Sequence, residues 1–150
     1  MKWGGSLFPY MKNTMDQNVV DTLRRLAEDV IPIQSARIAA AVVFDGEIIS
    51  FGTNHLRSHP FQAKYGKNEQ SIFWHAETNA IYNALKRNKM DPLFLSFSDL
   101  YVVRIKRPSC RSKSFIYGLA APCEGCRRCI NDFKIGRTYF STDEQTIECR

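Results

Sequence analysis

Arg37-Ile38-Ala39-Ala40-Ala41-Val42-Val43-Phe44-Asp45-Gly46-Glu47-Ile48-Ile49-Ser50-Phe51-Gly52 is the stretch that decides the fold. Asp45-Gly46 separates two apolar runs, and Asp-Gly in that place predicts a hairpin, because the turn needs positive φ angles. Gly52 closes the second strand. Toward the N-terminus, Val19, Val20, Leu23, Leu26, Ala27, Val30 and Ile31 recur every three or four residues. That spacing predicts a helix with one apolar stripe, capped by Asp16 and ended by Pro32. Residues 1–14, with Gly4, Gly5 and Pro9, read as an irregular arm. Toward the C-terminus, residues 53–70 are polar and read as a long loop, a kind of segment that is usually functional or mobile. A second helix is expected from about His75 to Asn88, its buried stripe being Ala76, Ala80, Ile81, Ala84 and Leu85. Leu100–Ile105 fits a buried strand. After a basic loop, a third helix starts near Cys123 and ends by Gly136, and Arg137–Ser141 is a further strand. Strands alternating with helices imply parallel pairing in this half. The expected fold is α/β: a three-layer domain with a mixed sheet, an antiparallel N-terminal hairpin followed by parallel strands, flanked by helices.

A chain of 150 residues fits one domain spanning 1–150. Hydrophobic residues at 44% and charged residues at 24% are globular values and argue against disorder. No apolar run approaches the roughly 20 residues of a membrane span. The first residues lack the pattern of a signal peptide. A cytoplasmic protein with no membrane partner is therefore expected. Five cysteines, an odd count, favour metal binding or reactive thiols over a disulfide framework. A formal charge of +6 suits an anionic partner.

The chemistry lies in His75-Ala76-Glu77 and Pro122-Cys123-Glu124-Gly125-Cys126. Two cysteines in C-x-x-C spacing at a helix start present both sulfurs on one side of the first turn, where the helix end favours the thiolate. His75, at the start of another helix, completes a three-ligand set suited to tetrahedral zinc. Three ligands leave a fourth position for water, whose pKa zinc lowers toward 7. Glu77 then serves as the group that moves the water's proton. The bland alternatives are a structural zinc with Cys129 as fourth ligand and a redox dithiol.

H-x-E followed by P-C-x-x-C is the signature of zinc deaminases, and the chain resembles the cytidine deaminase-like superfamily from its first helix to its last strand. The resemblance implies zinc held by His75, Cys123 and Cys126. Glu77 would shuttle protons as water attacks the amino-bearing ring carbon. The Ala76 amide would lie near the pyrimidine carbonyl, and Asn54 would contact the sugar or base. His75-Ala76-Glu77-Thr78-Asn79-Ala80-Ile81 resembles the H-A-E-x-N-A-I run of deoxycytidylate deaminases, many of them viral, which also carry an insert before this helix. The implied reaction is hydrolysis of dCMP to dUMP and ammonia. The implied partners are a small-molecule nucleotide and further copies of the chain in a homo-oligomer, in the host cytoplasm if the protein is viral.

Two other substrate classes stay open: a cytosine or adenine in RNA or single-stranded DNA, and a free nucleoside. A non-catalytic zinc-stabilised binding module is the reading from a different class. The absence of an aromatic-interleaved basic stripe favours the free nucleotide over nucleic acid. Arg107, Arg111 and Lys113 crowd the loop before the cysteines. They read either as a solvated loop or as holders of a phosphate. Arg127 and Arg128 offer the same choice. His55, His59 and Cys110 read as solvent-facing residues or as ligands to a second zinc, and Phe73 and Trp74 as core or as a stack for a base. Cys129 and Cys149 read as a core residue and a tail residue.

Overall fold

Eleven elements follow in chain order: α1 (Gln17–Glu28), β1 (Arg37–Phe44), β2 (Glu47–Thr53), α2 (Pro60–Ala63), α3 (Ala76–Lys86), α4 (Pro92–Leu95), β3 (Asp99–Lys106), β4 (Ile116–Gly118), α5 (Glu124–Asp132), β5 (Arg137–Ser141) and β6 (Ile147–Cys149). They come from a computed structural model that describes residues 15–32, 36–66 and 73–150. The expected irregular arm, 1–14, lies outside the described residues, as does part of the polar insert, 67–72. The hairpin turn forms as its residues dictate, with φ of 53° at Asp45 and 78° at Gly46. Asp16 caps α1 by accepting a hydrogen bond from the Asn18 amide at 2.9 Å. The helix stops at Glu28, so Ile31 falls off the predicted stripe and is 85% exposed. Among the described residues no helix is long and apolar enough to cross a membrane.

The sheet runs β2-β1-β3-β5-β6, with β4 paired to β3 beyond the reach of β5. β1 is antiparallel to both β2 and β3, and β3 pairs with β5 in parallel. β4 and β6, two short strands the sequence pattern does not announce, add antiparallel pairs. The apolar runs hide a period of two. Ala39, Ala41, Val43, Tyr101, Val103, Ile105 and Tyr139 pack with Val19, Val20, Leu23 and Ala27 of α1. Ala40, Val42, Leu100, Val102 and Phe140 pack with Ala76, Ala80, Ile81 and Ala84 of α3 and with Cys129 and Ile130 of α5. Burial on both faces is why each strand reads as continuously hydrophobic, and it yields the three layers.

Gly52 fixes how closely α3 approaches the sheet. A Cβ there would overlap the Ala76 carbonyl oxygen and the Ala80 nitrogen, so any other residue would push the helix away. Side chains then secure the contact. Ser50 Oγ donates to the Ala80 carbonyl at 2.7 Å, Asn83 Nδ2 donates to the Phe51 carbonyl at 2.7 Å, and Asn79 Oδ1 accepts from the Thr53 amide at 3.0 Å.

Candidate active site

His75 and Cys123 hold equivalent places: each is the N-cap of its helix, and neither side chain caps it. A Ser, Thr, Asp or Asn in that place would turn back onto the helix amides. Here the two side chains turn toward each other instead. His75 Nδ1 lies 3.5 Å from Cys123 Sγ and 3.3 Å from Cys126 Sγ. The three ligand atoms fall within 4.8 Å of one another. A tetrahedral zinc with bonds of about 2.3 Å to sulfur and about 2.1 Å to nitrogen would set N and S about 3.5 Å apart. The donor set and its spacing therefore fit zinc, with both helix dipoles directed at the thiolates.

The protonation of this cluster is shared. The Cys123 thiol is pulled down to about 3, first by a hydrogen bond from Cys126 and then by His75. Cys126 is pushed well up by the same hydrogen bond and by burial. The bond to Cys123 also raises the His75 imidazole above its ordinary value. Burial pushes the Cys129 thiol up to about 12. Among the described residues the ligand group is His75, Cys123 and Cys126, and Cys129 lies outside it.

Glu77 is 6% exposed and lines the same cavity as His75 and Cys123. Burial pushes its carboxyl above the usual range. The cavity holds about 530 Å³. Its floor includes Ile38 of β1 with Val102 and Arg104 of β3, and Leu56, Phe73 and Leu119 stand exposed among its lining residues. Ala76 lines it too; as the first residue of α3, its N–H has no acceptor within the helix. Asn54 is buried at the cavity wall, and its amide is largely committed to β1. Oδ1 accepts from the Ile38 amide at 3.0 Å, and Nδ2 donates to the Ala36 carbonyl at 3.1 Å. One amide hydrogen and one lone pair remain for a ligand.

Other sequence expectations resolve differently. Arg107, Arg111 and Lys113 do not line the cavity. Their loop is drawn to the α1 face because Phe115 packs into the cluster beneath α1. The Arg107 guanidinium lies 5.3 Å from the Phe115 ring centroid, and Arg24 Nη2 donates to the Phe115 carbonyl at 2.6 Å. Arg128 is spent on Glu124 and the Tyr65 carbonyl, and neither it nor Arg127 reaches the cavity lining. His55, His59 and Cys110 form no ligand group among the described residues, nor do the histidines stand free in solvent. His59 Nδ1 caps α2 by accepting from the Phe61 amide at 3.0 Å, and its ring stacks on Trp74 at 4.6 Å. His55 sits 6.2 Å from the same indole. Trp74 is buried in this packing and also lines the cavity, whereas Phe73 stands exposed there.

Two residues of the site carry no sequence signal of their own. Gln62 of α2 is buried, and its Oε1 accepts from the His75 amide at 3.2 Å and from the Thr78 hydroxyl. It ties the backbone of the ligand His75 to the first turn of α3. Arg104 reaches the cavity because it shares a strand face with Val102. The nearest hint for Gln62 was the expectation of a functional insert, and for Arg104 a charge inside an apolar strand.

Residues 13–142 match the family model described as the cytidine and deoxycytidylate deaminase zinc-binding region. No curated protein sequence matches the chain. Two of the solved structures that share its fold are a cytidine deaminase and a dCMP deaminase. A cytidine deaminase from Burkholderia pseudomallei is 18% identical, with a TM-score of 0.60 over 91% of this chain and 92% of its own. A dCMP deaminase from the cyanophage S-TIM5 is 20% identical, with a TM-score of 0.51 over 85% of this chain and 86% of its own.

Proposed function

The chain belongs to the cytidine and deoxycytidylate deaminase family of zinc enzymes, and from that premise we propose that it deaminates a free cytosine nucleotide, dCMP to dUMP. The observation that carries this reading is the three-ligand cluster on two helix N-termini with Glu77 buried in the same cavity. His75, Cys123 and Cys126 would hold the zinc. When bound, zinc supplies a water acidic enough to attack as hydroxide near neutral pH.

The remaining steps belong to the chain. Glu77 takes the proton of the attacking water and delivers it to the ring nitrogen beside the amino-bearing carbon. Glu77 then takes the second proton from the hydroxyl now on that carbon and passes it to the amine as the C–N bond breaks, so one water enters and one ammonia leaves. Burial raises the carboxyl and so makes it a stronger base toward the water's proton than an exposed glutamate. The Ala76 amide and the uncommitted amide hydrogen of Asn54 are the donors positioned to orient the base. Phe73 offers a ring to stack on it.

A free nucleotide is favoured over a polymer because the basic loop residues Arg107, Arg111 and Lys113 lie away from the cavity. A polymer substrate would need a track of cations leading to the site. The test is ammonia release by the zinc-loaded protein from dCMP, CMP, deoxycytidine, cytidine, cytosine, single-stranded DNA and a transfer RNA. Turnover of the monophosphates above all others is expected; activity on the polymers alone would overturn the reading.

A further inference from the structure

Arg104 is the one permanently charged cation that lines the cavity among the described residues. Its backbone is fully engaged: the amide donates to Ser141 Oγ at 3.0 Å, and the strand pairs with Ile38 on one side and Gly118 on the other. Its side chain is not. Nε is buried and has no hydrogen-bond partner. Asp143 senses the charge but is exposed and bound to Lys106 Nζ at 2.9 Å. The stem lies flat across β4, where a Cβ on Gly118 would come within 3.2 Å of Arg104 Cγ and Cδ. The glycine leaves room for an arginine that would otherwise be displaced.

A buried guanidinium nitrogen without an acceptor is costly, so such groups are found paired. Arg104, half-buried, lines the same cavity as Glu77, His75 and Cys123. Along the strand Arg104 stands about 7 Å beyond Val102, on the same face. A planar fork of donors at that place matches the oxygens of a phosphate monoester two at a time. We infer that Arg104 holds the 5′-phosphate of the substrate and thereby makes the enzyme selective for nucleotides over nucleosides. The inference rests on the deaminase reading given above and names the substrate class of that site.

The test compares zinc-loaded wild type with R104Q and R104K, using dCMP against deoxycytidine in turnover and dUMP against deoxyuridine in calorimetric binding. The wild type is expected to favour the phosphorylated member of each pair by about 10- to 100-fold, the range of a charge-assisted pair. In R104Q both ratios collapse toward one while zinc content stays at the wild-type level. R104K, a point charge without the fork, keeps part of the preference. A full preference retained in R104Q overturns the inference and leaves the deaminase reading standing. So do equal losses on dCMP and deoxycytidine, which would put Arg104 on the base or in a structural role. A wild type indifferent to the phosphate in both turnover and binding overturns the nucleotide reading along with it. A wild type that deaminates neither substrate overturns the deaminase reading, and the product-binding ratio still decides for or against Arg104.

Discussion

Glu77→Gln separates proton transfer from every other contribution of the site. The amide is nearly isosteric with the carboxyl, so cavity shape and packing in the first turn of α3 are kept. Glu77 is 6% exposed, so bulk water cannot take over its task at that depth. Besides Glu77, the ionisable groups lining the cavity are Arg104 and the ligands His75 and Cys123. A ligand that donates its lone pair to a metal cannot also accept a proton, and Arg104 does not deprotonate. The variant therefore loses both transfers with no substitute in reach. General acid–base catalysis is worth about 100- to 10,000-fold, and the upper end applies here. A loss of about 10,000-fold in kcat corresponds to about 5.4 kcal/mol at 1.36 kcal/mol per decade. The assay is steady-state ammonia release alongside zinc content by atomic absorption. Zinc is expected to stay at the wild-type level. Zinc lost together with activity would make Glu77 structural, and a variant within tenfold of wild type would refute the proton-transfer argument outright.

Three further outcomes follow from the same geometry. Zinc uptake by the metal-free chain at pH 7 should release between one and two protons, from Cys126 and His75, while Cys123 contributes none because its thiol is already ionised. Calorimetry in two buffers of different ionisation enthalpy counts them, and a count of zero contradicts the shared-proton cluster. Gln62→Ala strips the His75 amide of its side-chain acceptor and leaves the Thr78 hydroxyl only the His75 carbonyl. It should weaken zinc binding about 10- to 100-fold, as loss of a group that orients a ligand does, measured by competition with a chelator; unchanged affinity would leave Gln62 a mere packing residue. The triple variant R107A/R111A/K113A should keep kcat/KM for dCMP within about twofold and lose only the stability of an exposed ring contact, about 0.5–1 kcal/mol. A large rise in KM would return those residues to the substrate.

The parts of this molecule that were legible in the sequence are those with a local cause. Asp45-Gly46 can form its turn whatever surrounds it, and the turn sets the first pairs, Phe44 with Glu47 and Val43 with Ile48, before an irregularity at Val42 shifts the register. Asp16 and the stripe Val19-Val20-Leu23-Ala27 set α1 with no help from the sheet beyond a surface to cover. His75 and Cys123, 48 positions apart, could be grouped with Cys126 because zinc admits few donor sets, and His75 and Cys123 each mark a helix start. The two four-residue helices also had local signals, Asp91-Pro92 and His59-Pro60, each a cap followed by a proline. They passed unread because so short an element has no periodicity.

What stayed illegible shares one cause: its meaning depends on a neighbour that only the tertiary fold supplies. Gln62 is an ordinary polar residue until α2 docks at the N-terminus of α3, where a ligand has taken the place of a capping side chain. The basic loop gives the converse case. Arg107, Arg111 and Lys113 precede the cysteines in sequence, so proximity along the chain suggested the rim of the site. Phe115 decides otherwise, because a half-buried aromatic ring packed against the cluster beneath α1 carries the loop to the far face. Arg104 then follows from parity alone. On a strand buried on both faces, the residue two beyond Val102 must share its side of the sheet. Here that side holds the ligand cluster. Once β4 pairs with β3 and sets Gly118 beside the arginine, the stem has one clear surface to lie on. The charge in an apolar strand is thus explained by the cavity it faces, and the selectivity proposed for the enzyme rests on a residue whose position is fixed by the alternation of a strand rather than by any motif.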